Sequence, residues 1–304
     1  MAEAMTEQRI RYEFGRHETF AVREGWLSKG LSHLKATNGA FRPDLEAADA
    51  LGLGSKMVKS LHFWMEASGL SLSSQGRKDR SSLLSELGEC IADHDPYLEF
   101  PISWWMIHIA LARRPGSVWN WFFNSFQERI FDRTTCVEAF MKDVAQHALN
   151  PPTPAVAQRE VACLLLSYSS PSGRDRLNPE DVTSCPLRPL ALVVKHDDTG
   201  RYEKTRPMDR IPMEAFLSAA ALVAEDLGSN SIAFLDLIRV RNSPARLFGL
   251  DGDAVDEIGS ACAAAYGRDG VGISMLGANR TLSIPAIAPA EWLRLHFRRI
   301  GVAR

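Results

Sequence analysis

Along the first third of the chain, apolar residues return at helical spacing and then, briefly, at every second position. Phe20, Leu27, Leu31 and Leu34, with the Arg23 stem, fall close to one face. That spacing predicts a helix opening at Glu18 or Thr19 and ending near Asn38-Gly39. A short helix follows, with Pro43 in its first turn and Leu45, Ala48 and Leu51 facing inward. Gly52-Leu53-Gly54 makes a tight turn, and Ser55 caps a third helix whose apolar face holds Met57, Val58, Leu61, Trp64 and Met65. Gly69 ends that helix, Leu70–Ser73 alternates like a strand, and Ser74–Arg80 is a polar, basic turn before the apolar stretch at 82–88. Three helices, a strand and a basic loop predict a winged helix-turn-helix over residues 1–95.

The middle of the chain is crowded with aromatic residues. Pro101–Arg114 predicts a mostly buried helix closed by Pro115-Gly116, Ser117–Phe131 a second helix, and Thr134 or Thr135 with Glu138 a capping box for a third. Trp and Phe at this density and spacing read as core rather than as a platform for stacked bases. His108, on the same apolar helix, reads as a hydrogen-bonded core histidine. Residues 96–175 are therefore taken as a helical, aromatic-rich linker domain.

The last third opens with a β-hairpin, Leu190–His196 and Arg201–Arg206 around Asp197-Asp198-Thr199-Gly200. Helices follow over 212–227, 231–240 and 253–266, then a hairpin over 272–284 and a terminal helix, Pro289–Arg299. The plan over 176–304 is again winged-helix-like, α+β, without a basic recognition face. The fold class expected is mainly α with small β-hairpins.

Composition narrows the reading. The chain has 304 residues, 45% hydrophobic and 24% charged, the balance of a globular protein with two domains or three small ones. Cys90, Cys136, Cys163, Cys185 and Cys262 are scattered without a CxxC pair, which argues for a reducing cytoplasm and against a zinc site. No apolar stretch is long enough for a bilayer, and no secretory signal is visible. A net charge of −2 excludes a polybasic nucleic-acid binder and leaves room for a local basic patch.

Such a patch is drawn by the predicted winged helix. The face of its third helix away from the core carries Lys56, Lys59, Ser60 and Phe63, and the loop offers Arg77, Lys78 and Arg80. A single exposed lysine usually does no more than solvate a helix. The combination of turn, helix and basic loop favours contact with double-stranded DNA. No Walker loop, GxGxxG after a strand, HExxH or GxSxG is present, so no nucleotide cofactor is expected. Metal-dependent nucleases gather carboxylates around Mg²⁺ or Mn²⁺, which makes His17, Glu18 and Glu24, and separately Asp197 and Asp198, the catalytic candidates. Each has a plainer reading: turn aspartates bond their own backbone, and a glutamate at a helix start favours the dipole. The metal ligands cannot be assigned.

Phe14-Gly-Arg-His-Glu-Thr-Phe20, Arg23-Glu-Gly-Trp-Leu27, Lys29-Gly30, Phe63-Trp64, Asp95-Pro-Tyr-Leu-Glu99, His108, Trp121-Phe-Phe-Asn124, Ser243-Pro244 and Arg246 together resemble the family called domain of unknown function 4007. The resemblance spans the chain and is densest over 14–126. It implies a place in bacterial DNA phosphorothioation and phage defence, beside a cysteine desulfurase, an ATPase and a sulfur-activating enzyme. In the Ssp type of that system it implies a DNA-nicking endonuclease; the alternative is a non-catalytic DNA-binding adaptor or regulator. Arg16, Arg23 and Lys29 then become candidates for a phosphate-facing surface beside the winged helix, and an oligomer is left open.

Overall fold

The computed structural model describes residues 9–37, 41–73, 82–171, 185–277 and 279–302. The protein is mainly helical with small sheets, and a single hydrophobic cluster runs through it. No helix among the described residues is long and apolar enough to cross a membrane.

The first unit contains α1 (Trp26–Ala36), α2 (Leu45–Leu51), α3 (Ser55–Ala67) and an antiparallel pair, β1 (Ser71–Ser73) and β2 (Ser82–Leu84). The first helix begins later than its apolar spacing predicts. Glu18 and Thr19 are both left-handed, with φ of 50° and 66°, and Gly25 enters the helix at φ 74°, so 15–25 cannot be α-helical. Asp44 caps α2 by accepting from the Ala47 N–H at 3.0 Å, which puts Pro43 ahead of the helix. Similarly, α3 starts at Ser55 with Gly54 as its cap. Phe41, between α1 and α2, exchanges two backbone hydrogen bonds with Ser82, at 3.2 and 3.0 Å, and so adds a one-residue third strand beside β2.

Next comes α4 (Glu86–His94), docked by Ser85, whose hydroxyl accepts from the Gly88 N–H at 2.9 Å and donates to the Gly69 carbonyl at 2.5 Å. Gly88 lies so close to the Leu70 carbonyl that an added Cβ would stand 2.0 Å from its oxygen.

The middle is built on α5 (Pro101–Arg113), which is apolar all round and buried by α6, α9 and α13. Around it lie α6 (Val118–Asn124), α7 (Arg133–His147), α8 (Pro154–Tyr168) and a sheet ordered β3-β6-β5-β4. Its strands are β3 (Ile130–Phe131), β4 (Ser169–Pro171), β5 (Val193–Lys195) and β6 (Tyr202–Lys204). The predicted hairpin is β5 and β6, and it is held between strands from the helical section. The helix expected to reach Phe131 stops at Asn124, where the Lys204 ammonium donates to the Phe122 and Phe126 carbonyls at 2.7 and 2.6 Å. Asp132, rather than Thr134 or Thr135, caps α7.

The last unit runs α9 (Met213–Leu227), β7 (Ser231–Ala233), α10 (Phe234–Arg239), α11 (Pro244–Phe248), α12 (Gly252–Tyr266), β8 (Gly272–Leu276), β9 (Asn279–Ser283) and α13 (Pro289–Arg299). Its sheet is ordered β7-β9-β8, so the stretch expected to be helical from 231 opens as a strand on β9. α13 packs on α4, α5 and α9 and joins the two ends of the chain. Its anchor is the buried Glu214 of α9, which accepts from Arg299 Nε at 2.7 Å and from the Tyr266 hydroxyl and lies 3.0 Å from His296 Nδ1.

Candidate nucleic-acid interface

The loop over residues 14–25 is clamped from both sides. Gly15 donates its N–H to Glu160 Oε1 of α8 at 2.6 Å; Ser60 and Trp64 of α3 donate to the His17 and Phe20 carbonyls at 2.8 and 3.0 Å. His17 itself is buried: its Nδ1 accepts from the Thr19 N–H at 3.0 Å, and its Nε2 stands 3.1 Å from Glu160 Oε1, unaligned for a hydrogen bond. Two successive left-handed residues without glycine cost about 1–3 kcal/mol each and persist only when neighbours hold them. These contacts do the holding. They also place His17 and Ser60 out of solvent, as fasteners of the loop rather than as groups that meet a ligand.

On the outer side of that loop a cleft of about 640 Å³ opens between the loop, α2 and α3, lined by Arg16, Glu18, Arg42, Asp44, Lys59 and Glu66 among others. Its floor is a chain of polar contacts. Ser82 donates to Glu66 Oε1 at 3.0 Å and lies 3.0 Å from His62 Nε2, and Arg16 donates to Glu66 Oε2 at 2.9 Å. Ser82 is fully buried, so this chain ties β2 to α3 and is no nucleophile. Arg16 also pairs with Glu13 at 3.2 Å and Arg114 pairs with it at 2.5 Å, and both guanidinium groups lie 5.9 Å from the centre of the Phe63 ring. Burial raises the Glu13 pKa, but Arg114 and Arg16 outweigh it and hold the carboxyl below its ordinary range.

Lys56 and Lys59 are exposed on one face of α3, three positions apart, without a hydrogen bond or ion pair among the described residues. Lys29 reaches the Leu51 carbonyl at 3.2 Å, and Arg23 stacks 5.5 Å from the ring centres of Phe20 and Trp26. Phe63 is buried, and Arg77, Lys78 and Arg80 lie outside the described residues. Glu24 is exposed in the turn ahead of α1.

Asp197 and Asp198 are exposed at the tip of the β5–β6 hairpin, where Asp198 Oδ1 accepts from the Thr199 N–H at 2.9 Å. Glu203, behind them, lies 2.9 Å from His196 Nε2 and accepts from Arg129 at 2.8 Å, and these two partners lower its pKa. The hairpin stands on the central sheet and the 14–25 loop on the first unit, so the two sets of candidate catalytic residues belong to different parts of the fold.

The family of proteins of unknown function DUF4007 matches residues 14–279. The chain belongs to this family. The DUF4007 match opens on Phe14, at the start of the strained loop, and takes in the whole of α3 and the β5–β6 hairpin. No curated protein matches the chain. Among solved structures, a magnesium ion-bound SspB crystal structure is 25% identical with a TM-score of 0.81, over 97% of this chain and 90% of that one. A second SspB crystal structure, 24% identical, gives 0.80 over the same shares.

The magnesium in that neighbour sets a test for this DUF4007 chain. Mg²⁺ demands near-octahedral oxygen ligation with one or two carboxylates. Glu66 has both oxygens engaged by Ser82 and Arg16, Asp44 caps α2, and Glu160 is buried beneath Gly15. No three of His, Cys, Asp and Glu gather to hold a metal ion among the described residues. The described residues thus hold no ready-made cage of three such ligands for Mg²⁺ or Mn²⁺.

Proposed function

We propose that the protein is a DNA-binding component of an Ssp-type DNA phosphorothioation and phage-defence system and nicks duplex DNA there. The observation that carries the reading is its likeness to SspB over 97% of the chain. The order α1, Phe41, α2, α3, β1, β2, with Phe41 pairing beside β2, supports a winged helix in which α3 is the recognition helix. Lys56 and Lys59 face a phosphate backbone from the exposed side of α3, while Arg23 and Lys29 extend the same basic surface around α1. Arg16 holds the cleft in shape through Glu66 and Glu13 and offers a guanidinium edge to it. Arg77, Lys78 and Arg80 would stand on the wing. Strand nicking is the activity that the family resemblance implies, in company with a cysteine desulfurase, an ATPase and a sulfur-activating enzyme.

A second reading, a DNA-binding adaptor that positions other enzymes on DNA, is favoured by one observation. Two of the carboxylates lining the cleft are already engaged, Asp44 as the cap of α2 and Glu66 with Ser82 and Arg16. Relaxation of supercoiled plasmid by the purified protein, with Mg²⁺ and with Mn²⁺, separates the two. Nicked circles are expected for the first; intact plasmid under both metals, with DNA binding retained, establishes the second. For binding, Lys56→Ala/Lys59→Ala should weaken duplex affinity and lower the slope of log K against log salt by about 1.8, since each lost phosphate contact removes about 0.9. An unchanged slope removes α3 from the interface.

A further inference from the structure

A second cluster of basic side chains lies away from α3. A cleft of about 370 Å³ between α6, β6 and the α10–α11 loop is lined by Arg129, Lys204, Arg206, Arg239 and Arg246, with no acidic residue in its lining. Two carboxylates border it, Asp251 on Arg206 and Glu203 on Arg129. Arg239 is exposed and has no carboxylate partner among the described residues. The Lys204 ammonium is held by two carbonyls, and its nitrogen lies 4.2 Å from the centre of the Phe122 ring.

Arg246 and the turn beside it are fixed in place by backbone and amide contacts. Arg246 donates through Nε to the Arg239 carbonyl at 3.0 Å and through Nη1 to the Asn124 carbonyl. Asn242, left-handed at φ 62°, donates its N–H to Asn124 Oδ1 at 2.6 Å and accepts from the side chains of Asn120 and Asn124, both at 3.1 Å. Asn120 and Asn124 are themselves buried, so two core amides are spent on one surface loop. The same loop continues into a second cleft, of about 450 Å³, whose wall holds Arg241, Arg113 and Asp143, with Arg113 Nη2 paired to Asp226 at 2.9 Å. Arg113 Nη1 is buried there without a hydrogen-bond partner. Three arginines around one helix–loop–helix corner, Arg239 at the end of α10, Arg241 on the loop and Arg246 in α11, thus serve two neighbouring clefts. Phe123 and Phe126, which line the first, are buried and offer no face to a base.

We propose that the loop over residues 239–246 and the clefts beside it grip the sugar–phosphate backbone of a DNA strand, as a second contact separate from the α3 face. Cationic donors around two concave surfaces, the first without a carboxylate in its lining and the second with Asp143 alone, suit phosphate oxygens, and the lack of an exposed aromatic platform suits backbone rather than base recognition. The inference rests on the reading that the protein binds DNA, and supplies that reading with a second surface.

The test is DNA affinity of the full chain, measured by fluorescence anisotropy against salt, for Arg206→Ala/Arg239→Ala and for the charge-keeping Arg206→Lys/Arg239→Lys. Loss of two phosphate contacts should weaken binding roughly twentyfold at about 0.15 M salt and lower the salt slope by about 1.8 for duplex or 1.4 for single-stranded DNA. The lysine pair should restore most of the slope. Near-wild-type affinity and slope in the alanine pair, with the Lys56→Ala/Lys59→Ala effect intact, overturns this surface and leaves α3 standing. An effect of the arginine pair alone supports this surface and removes α3. A wild-type chain that binds no DNA overturns both. If the alanine pair abolishes thermal stabilisation by AMP or ATP while DNA affinity is unchanged, the clefts take a free nucleotide and the backbone assignment fails.

Discussion

His108 is held in the core between two hydrogen bonds of opposite sense. Its Nε2 donates to the Leu247 carbonyl at 2.8 Å, which leaves Nδ1 to accept from the Tyr168 hydroxyl at 2.9 Å. Burial pulls its pKa from 6.5 to about 4. With the folded value below the unfolded one, the unfolded chain alone takes up the proton as pH falls from 6.5 to 4. Stability should therefore drop across that window by about 1.4 kcal/mol per pH unit. Urea unfolding at pH 7, 6, 5 and 4 measures it, and His108→Gln should remove that contribution. The core role of His108 was legible in the sequence because its neighbours on α5 are apolar on every side. The roles of His17 and Ser60 were not, because one clamp of their loop is Glu160, 145 positions from Gly15. Likewise, Arg239 and Arg241 carry no local signal; what distinguishes them is the pair of asparagines folded beneath their loop.

At the scale of elements, Gly88 is the tightest joint. It starts α4 against the carbonyl of Leu70, with no room for a methyl group. Gly88→Ala must push α4 away from the base of the β1–β2 pair and should cost roughly 1–3 kcal/mol, read as a fall in the urea midpoint at constant slope. An unchanged midpoint would mean that α4 slides freely. Spacing located α3 within the predicted range and α13 at Pro289–Arg299, because each has a strong apolar stripe and a proline or small residue at its start. It failed over 18–25, where apolar spacing is kept by a chain that is not helical. Two left-handed residues interrupt the helix without changing which side chains face inward. It also failed at β3 and β7, strands of two and three residues that exist only through partners far along the chain.

On the scale of the whole molecule, Glu214 carries the coupling between the ends, since it fixes the α13 helix that packs on α4. Burial raises its pKa, but hydrogen bonds from His296, Tyr266 and Arg299 outweigh that and take it from 4.5 down to about 2. This stabilisation is complete above pH 4.5 and is lost as pH falls toward 2, roughly 3 kcal/mol at most. Glu214→Gln should weaken it at neutral pH too, and amide exchange should then quicken in α4 as well as in α13. Unchanged exchange in α4 would show the ends to be independent.

The two end units both pass from helices through a hairpin to a closing helix, with three helices before the hairpin in the first and four in the last, and their outer faces differ. α3 presents Lys56 and Lys59, whereas α12 exposes Asp253 and Glu257, with Asp256 tied to Arg280. A duplex is close to symmetric about its dyad, and proteins that treat both strands alike commonly bring a matching twofold. The two ends of this chain do not carry the same charge. If a single copy meets DNA through the basic end, with the acidic end turned away, the complex has no dyad and the two strands stand in different surroundings. An asymmetric mount of that kind lets a single copy treat one strand and spare the other.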